Sequence, residues 1–435
     1  MLTELLAART QMGLSLAFHI VFATAGIGMP LLMVGAEIAW LRTGEPAWLA
    51  LSKRWAKGTA ILFAVGAVSG TVLSFELGLL WPRFMEVAGP LVGLPFAMEG
   101  FAFFLEAICL GIVLYGWDRV SPAAHLAAGI GVAVSGALSA AFVISANGFM
   151  NTPQGYGVGP DGALVAADPL AAMLNPMAAP MALHALVASW LAIGWVAAAT
   201  HAWRLRRDPG DPVDRRGLAL GLWVAVVATL AQPLTGHVIG GATAHHQPAK
   251  LDALEALWET QRGAPFTIGG WPDEAAQTTR YAIEVPKLLS LIAFHHADAE
   301  VMGLDAVAPE DRPPVVAAHL AYQIMLATEG LMGVGAVAAL ATLWRPRWRE
   351  HPAFLGLVLL LGPVGMIGIE AGWCATELGR QPWIVAGLMR TADAVTPVGG
   401  IRISVIGFTL VYLGLAAVTA VLLQRQIAGP AGGGH

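Results

Sequence analysis

The run Phe354-Leu-Gly-Leu-Val-Leu-Leu-Leu-Gly-Pro-Val-Gly-Met-Ile-Gly-Ile369 carries no charge, and shortly after it the chain reads Trp373-Cys-Ala-Thr-Glu-Leu-Gly-Arg-Gln-Pro-Trp383. Taken over residues 352–374, the apolar part is long enough to cross a bilayer, which needs about 20 residues. The polar part crowds Glu377, Arg380, Gln381 and two tryptophans against the end of that span. Polar groups placed there are costly unless they pair or bind something. On these residues alone two readings stand: a site, or a capped helix end with interfacial tryptophans and one Glu–Arg pair.

The same apolar pattern recurs along the chain, at 12–40, 56–80, 94–116, 123–147, 178–203, 217–240, 314–343, 352–374 and 400–423. Composition agrees. Of 435 residues, 57% are hydrophobic and 12% charged, with mean hydropathy +0.66, whereas a soluble domain carries about 25% charge. The chain reads as an all-α polytopic membrane protein of about nine transmembrane helices. The stretch Met12–Trp40 is too long for the apolar core of a signal peptide. Cys109 and Cys374 form no metal-binding pair and imply no disulfide. A net charge of −5 with no basic patch gives no sign of a nucleic-acid partner.

Loop charges orient the bundle. Lys and Arg cluster at Arg42/Lys53/Arg54/Lys57, at Arg119, at Arg204/Arg206/Arg207/Arg215/Arg216 and at Arg345/Arg347/Arg349, which are alternate loops, and Arg425 follows the last span. The positive-inside rule then puts the N-terminus outside and the C-terminus inside. Four regions follow: residues 1–240 with six spans, a large outer loop at 241–313, residues 314–425 with three spans, and a Gly-rich tail at 426–435 expected to be disordered. The outer loop is rich in acids and in Trp, Phe, Ile and Leu, so a folded cap is expected, with helical spacing over Lys250–Thr260.

With this topology the polar residues acquire depths. His19, Glu99, His184, Met325 and Glu377 gather toward the outer half of the bilayer. Imidazole and thioether donors suit haem iron, and a His/Met pair suits a low-spin electron-transfer haem. Each has a plainer reading singly: a membrane His as a helix–helix hydrogen bond, a Met as core filler. Convergence at one depth favours the ligand reading. Glu99 and Glu106 lie nearly two helical turns apart and so share a face, about 10 Å apart along the axis. Two such carboxyls in hydrocarbon fit a proton relay or a ligand site. Glu76 is a weaker candidate, and Glu37 reads as a boundary residue at the inner end of the first span.

The pattern resembles the haem-bearing subunit I of cytochrome bd-type quinol oxidases. The resemblance rests on Arg9-Thr-Gln…Phe18-His19, Glu99-Gly…Phe103-Phe104-Leu105-Glu106, Gly116-Trp-Asp-Arg119, Ala146-Asn-Gly148, Asn175-Pro176…His184, Lys250-Leu…Glu255…Trp258-Glu-Thr260 and Gly372-Trp373…Glu377-Leu-Gly-Arg-Gln-Pro-Trp383. It implies a quinol:oxygen oxidoreductase that oxidises quinol at the outer face and reduces dioxygen to water with protons from the cytoplasm. It implies His184 and Met325 as axial ligands of a low-spin haem b. His19 and Glu377 would ligate a high-spin haem b and a haem d, or a further haem b in its place. Glu99 and Glu106 would donate protons, and Trp373 would stack near the high-spin haems. Arg9 and Arg380 would meet haem propionates, and Lys250 and Glu255 would contact quinol. A second membrane subunit and the prokaryotic cytoplasmic (inner) membrane are implied as well. The stretch Val120–Trp203, free of Lys and Arg, leaves room for that subunit and equally fits lipid.

Three departures from the family pattern stand out. Gln323 replaces a frequent Arg, His237 replaces a frequent Asp, and the outer loop is short, resembling the branch that includes cyanide-insensitive members. From other classes, a proton-coupled secondary transporter also fits buried carboxylates and broken helices. A haem oxygen reductase with a non-quinol donor is the remaining alternative.

Overall fold

The computed structural model describes residues 3–160 and 164–428. Its helices are α1 (Glu4–Thr43), α2 (Pro46–Leu80), α3 (Pro82–Tyr115), α4 (Pro122–Asn151), the short α5 (Pro169–Met173), α6 (Ala178–Leu205), α7 (Pro212–His246), the short α8 (Pro248–Glu255) and α9 (Leu288–Phe294), α10 (Val315–Trp344), α11 (Pro352–Leu361), α12 (Val364–Leu378), the one-turn α13 (Thr391–Ala394) and α14 (Ile401–Ala428). Among the described residues, nine helices are long and apolar enough to cross a membrane, with α11 and α12 forming one span broken at Gly362-Pro363. A proline there cannot supply the N–H that a continuous helix needs.

Local signals set the ends. Prolines open α2, α3, α4, α7, α8 and α11, where the missing N–H costs nothing. Thr3, Ser121 and Asp211 cap α1, α4 and α7 through their side-chain oxygens. The helices outrun the apolar stretches that announce them. α3 begins at Pro82 rather than near residue 94, and α7 runs to His246 rather than 240, because a helix need not stop at the bilayer surface. α14 reaches Ala428, past the expected start of the tail at 426; residues 429–435 lie outside the described ones.

Small residues let the helices meet closely. A Cβ on Gly194 of α6 would strike Ala225 of α7, and one on Gly221 of α7 would strike Ala198. With little hydrophobic drive between helices in lipid, such close backbone approach supplies the packing. The cationic loops gather at one end: Arg216 pairs with Glu45, Arg215 with Glu350, and Arg204 and Arg54 with Asp214, while Arg204 also reaches the Ile427 carbonyl at the end of α14.

At the opposite end residues 247–314 form a folded cap. Short antiparallel pairs join β3 (Gln261–Arg262) to β8 (Glu300–Val301), β4 (Phe266–Ile268) to β7 (Ile283–Val285) and β5 (Trp271–Asp273) to β6 (Thr278–Arg280). Two further pairs, β1 (Gly157–Val158) with β2 (Leu164–Val165) and β9 (Trp383–Val385) with β10 (Met389–Arg390), lie at the same end. The helix expected over Lys250–Thr260 stops at Glu255, where Ala256 takes a left-handed conformation, φ 50°. α10 holds the cap down. His319 bonds the carbonyls of Leu254 and Gly269, and Gln323 accepts from the Gly269 N–H at 2.8 Å and donates to the Thr267 carbonyl at 2.9 Å. Gln323 thus has a structural task in this chain.

Candidate functional site

The levels of the candidate ligands follow from which residues oppose one another. A Cβ on Gly28 of α1 would strike Ile193 of α6. His19 and His184 each lie nine residues before those positions on helices that cross in the same direction, so they share a level. A Cβ on Gly365 of α12 would strike Ala192 of α6. Moving seven residues along both antiparallel helices puts Gly372 level with Ala185, beside His184. Gly372 in turn touches Met325: a Cβ there would lie 2.9 Å from its Sδ. Glu106 faces Gly26 of α1, so Glu99, seven residues earlier on α3, returns to the level of His19. His19, Glu99, His184 and Met325 therefore occupy one layer. Glu377 lies five residues beyond Gly372, about 7 Å further out.

A neighbouring hydroxyl stands against the Nδ1 of each imidazole. The Ser69 hydroxyl donates to the Val65 carbonyl at 3.0 Å and lies 2.9 Å from His19 Nδ1. Its only hydrogen is committed, so its oxygen accepts from Nδ1–H and leaves the Nε2 lone pair free. At His184, Thr235 donates to the Gln232 carbonyl at 2.9 Å and stands 3.2 Å from Nδ1. Fixing one nitrogen so that the other carries the lone pair is how proteins orient metal-binding histidines. The Gln232 amide nitrogen lies 3.2 Å from both ring nitrogens of His184. Glycines on neighbouring helices make room: a Cβ on Gly70 would lie 3.0 Å from the His19 ring, and one on Gly236 would lie 3.7 Å from that of His184.

Glu377 sits in a chain of polar groups. Its Oε1 accepts from Asn147 at 2.5 Å, and its other oxygen pairs with Arg380, which also donates to the Ile384 carbonyl. Asn151 donates to Asn147, and Lys250 donates to Asn151. The Lys250 stem lies against Gly379, where a Cβ would come within 2.7 Å of it. A carboxylate offers about four lone-pair sites, so two protein donors leave Glu377 able to accept more. The Arg380 Nε is buried and has no partner among the described residues. Trp373, half-buried, lies one turn before Glu377 on the same helix.

The outer-loop residues are turned inward. Lys250 and Glu255 are 7% and 1% exposed, and Asp252 between them is 1% exposed. Burial lowers the Lys250 ammonium to about 7, helped by Arg380 and opposed by Glu377. Burial raises Glu255 to about 7 against the Thr267 N–H, 3.1 Å away, and the Tyr322 hydroxyl. Burial, with Asp305 nearby, raises Asp252 to about 8, and among the described residues neither of its oxygens has a partner. Arg9 is exposed. It lines a cleft of about 440 Å³ with Trp258, Glu274, Arg312 and Gln381. His237, exposed, faces His295 at 3.2 Å.

Two acids escaped sequence reasoning. Glu329, one turn inward from Met325, and Glu370, one residue before Ala371 on α12, are partly buried acids in apolar runs. That signal was visible in the sequence. Glu76 is 1% exposed and accepts from Gln11 at 2.8 Å. Glu37 is not a boundary residue: it is 2% exposed and lies 2.7 Å from His125 Nδ1. Its partner is 88 positions away, so no local pattern announces the pair.

The fold and this layer define a multi-span membrane protein with a belt of imidazole, thioether and carboxylate donors under a folded cap. The family model for cytochrome bd terminal oxidase subunit I matches residues 7–430, and the chain belongs to that family. It is 35% identical, over 97% of its length and 96% of the relative's, to a Bacillus subtilis (strain 168) protein named "Putative cytochrome bd menaquinol oxidase subunit I". It is 29% identical, over 98% and 94%, to the cytochrome bd ubiquinol oxidase subunit 1 of the same organism. The solved bd oxidase from Geobacillus thermodenitrificans superposes with a TM-score of 0.93 at 38% identity, covering 98% of both chains.

Proposed function

We propose that the chain is the haem-bearing subunit of a quinol:oxygen oxidoreductase, and that the layer of His19, Glu99, His184 and Met325 is where its haems lie. The observation that supports this is His19 and His184 at one level, each with its Nδ1 beside a hydroxyl, with Met325 alongside. The residues fit the group. His184 and Met325 would hold a low-spin haem b. His19 and Glu377 would hold the two high-spin haems, one of them haem d or a second haem b. The unpartnered Nε of Arg380 suits a propionate, and Trp373 stands beside the Glu377 group. Arg9, exposed at its cleft, is kept as a second propionate contact. Bound there, the haems would take electrons from quinol and deliver them to dioxygen.

The chain's own residues handle protons and quinol. Lys250, Asp252 and Glu255 share one short helix, and each is shifted toward neutrality. Groups poised near the working pH exchange protons efficiently with a bound hydroxyl, which supports quinol binding and deprotonation at this helix under the cap. Glu106 and Glu99 would carry protons to the layer from the other side. The cationic end of the bundle is the cytoplasmic one on the positive-inside rule, so quinol protons leave on one side and consumed protons enter from the other. A second membrane subunit is expected against exposed apolar faces. Such faces occur on α3, where Phe101 and Phe104 are exposed, and on α14, where Ile403 and Leu410 are; much of α6, within the stretch free of Lys and Arg, is buried. A bacterial cytoplasmic membrane fits this arrangement. The carrier reading finds no support in relatives named as oxidases.

The purified oxidase is expected to show reduced-minus-oxidised haem bands and quinol-dependent oxygen uptake. Haem bands without quinol-dependent uptake would transfer the reading to another electron donor, and a protein without haem would end it.

A further inference from the structure

The Glu37–His125 pair lies in the half of the bundle that the haem layer does not use. His125 Nε2 lies 3.1 Å from the Val113 carbonyl, and Nδ1 lies 2.7 Å from Glu37 Oε1. A carbonyl only accepts, so Nε2 carries a hydrogen. The short Nδ1–Oε1 contact then requires one more proton between the two groups, on the imidazole or on the carboxyl. The pair is therefore a one-proton store, buried at 2% exposure on both sides. Trp117 covers it, with its ring 3.8 Å from that of His125, and Lys53 lies over Trp117 at 5.0 Å. One aromatic layer separates the store from the cationic end.

The store also points at Glu106. The second oxygen of Glu37 faces Gly129 of α4, 3.8 Å from where a Cβ would sit; Oε1 of Glu106 faces Gly136 of α4, 3.2 Å from the corresponding point. The two glycines are seven residues apart on one helix. Both carboxyls thus lie over the same stripe of α4, about 10 Å apart along it. The buried Ser135 hydroxyl, next to Gly136, donates to the Gly131 carbonyl at 2.6 Å within that interval.

We infer that Glu37 and His125 load protons from the cationic side and pass them to Glu106. This rests on the proposed role of Glu106 and the proposed orientation. In the step, Glu106 carboxylate gains a proton and the pair loses its shared one, leaving neutral His125 beside Glu37 carboxylate. Water at the cationic end then returns a proton to the pair. No electron moves. A buried ion pair that merely ties α1 to α4 would need neither the alignment with Glu106 nor the single cover of Trp117.

The test uses the complete detergent-purified oxidase, fully reduced and mixed with oxygen, with proton uptake followed by a pH dye. Glu37→Gln and His125→Gln keep hydrogen-bonding capacity but cannot carry the proton. Each is expected to slow proton uptake and turnover at least tenfold while leaving haem spectra and the anaerobic rate of haem reduction by quinol unchanged. Glu37→Asp is expected to regain part of the rate lost in Glu37→Gln and to stay measurably slower than the parent. Glu106→Gln is measured beside them. Slow uptake in Glu106→Gln with normal uptake in Glu37→Gln and His125→Gln overturns the inference alone. Normal uptake in all three overturns the relay reading of Glu106 as well. Should either amide variant fail to bind haem, Glu37→Asp decides: its longer reach to Glu106 must slow uptake measurably, and an unchanged rate with an unchanged pH profile refutes the store.

Discussion

Gly372→Ala separates a methionine that ligates from one that fills space. The added Cβ would sit 2.9 Å from the Met325 sulfur, against an ordinary contact of about 3.7 Å, so the sulfur has to retreat by about 0.8 Å. An unconstrained thioether would do this by changing rotamer, at a cost of about 1 kcal/mol or less. A sulfur bonded to iron cannot, because metal–ligand bonds tolerate shifts of only about 0.2 Å. The variant is therefore expected to lose most of its low-spin haem absorbance, measured in the reduced-minus-oxidised spectrum. Total haem, measured chemically after extraction, is expected to fall by less than half, since His184 still holds one side. Gly330→Ala on α10 is the control: nothing lies within 4 Å of its Cβ position, and its spectrum should match the parent. An unaltered low-spin band in Gly372→Ala, with the protein folded and stable, would refute Met325 as a ligand.

Two further outcomes test the surroundings. Ser69→Ala frees His19 Nδ1 from the oxygen that fixes its tautomer; loss of such an outer contact costs about 10–100-fold in metal affinity, to be read as high-spin haem lost on dialysis while the low-spin band stays intact. Asp252 is raised to about 8 by burial. Its folded pKa exceeds the unfolded one, so folding holds an extra proton between about 4 and 8, and stability falls as pH rises through that window. Asp252→Asn is expected to flatten this slope, leaving the cap less susceptible to protease at pH 8 than the parent and little changed at pH 4; equal slopes in the two proteins would show that Asp252 is solvated.

What the sequence made legible was whatever repeats or stands alone. Each membrane span announces itself by length, so nine helices could be read from apolar runs, while their true ends at Pro82 or His246 could not, because helical hydrogen bonding continues where hydropathy stops. Lone polar residues in those runs were equally visible, and His19, Glu99 and His184 could be placed at one level from loop charge alone. Partnerships were not visible. Glu37 looked like a boundary residue because its cause, His125, is distant in the chain. Asn147 appeared only as part of a motif, although it is the donor that joins Glu377 to Asn151 and Lys250.

That junction changes the meaning of the stretch from Trp373 to Trp383. Read by itself, Arg380 was either a propionate contact or the partner of Glu377. The structure pairs it with Glu377 and still leaves its Nε unpartnered inside the protein. The guanidinium is therefore already anchored and still has a donor to offer, which is the condition for receiving an anionic ligand group without losing the Glu377 contact. Lys250 brings a second cation to the same carboxylate from the cap. If a propionate arrives, it meets two cations and one carboxylate, and the local charge closes at zero with Lys250 protonated. Binding of haem at this block and the charge of Lys250 would then be linked: haem would raise the Lys250 pKa, and deprotonation of Lys250 would weaken the hold on haem. The cap and the Glu377 block form one electrostatic unit, which is why a residue expected to meet quinol and a residue expected to meet iron share a single hydrogen-bonded chain.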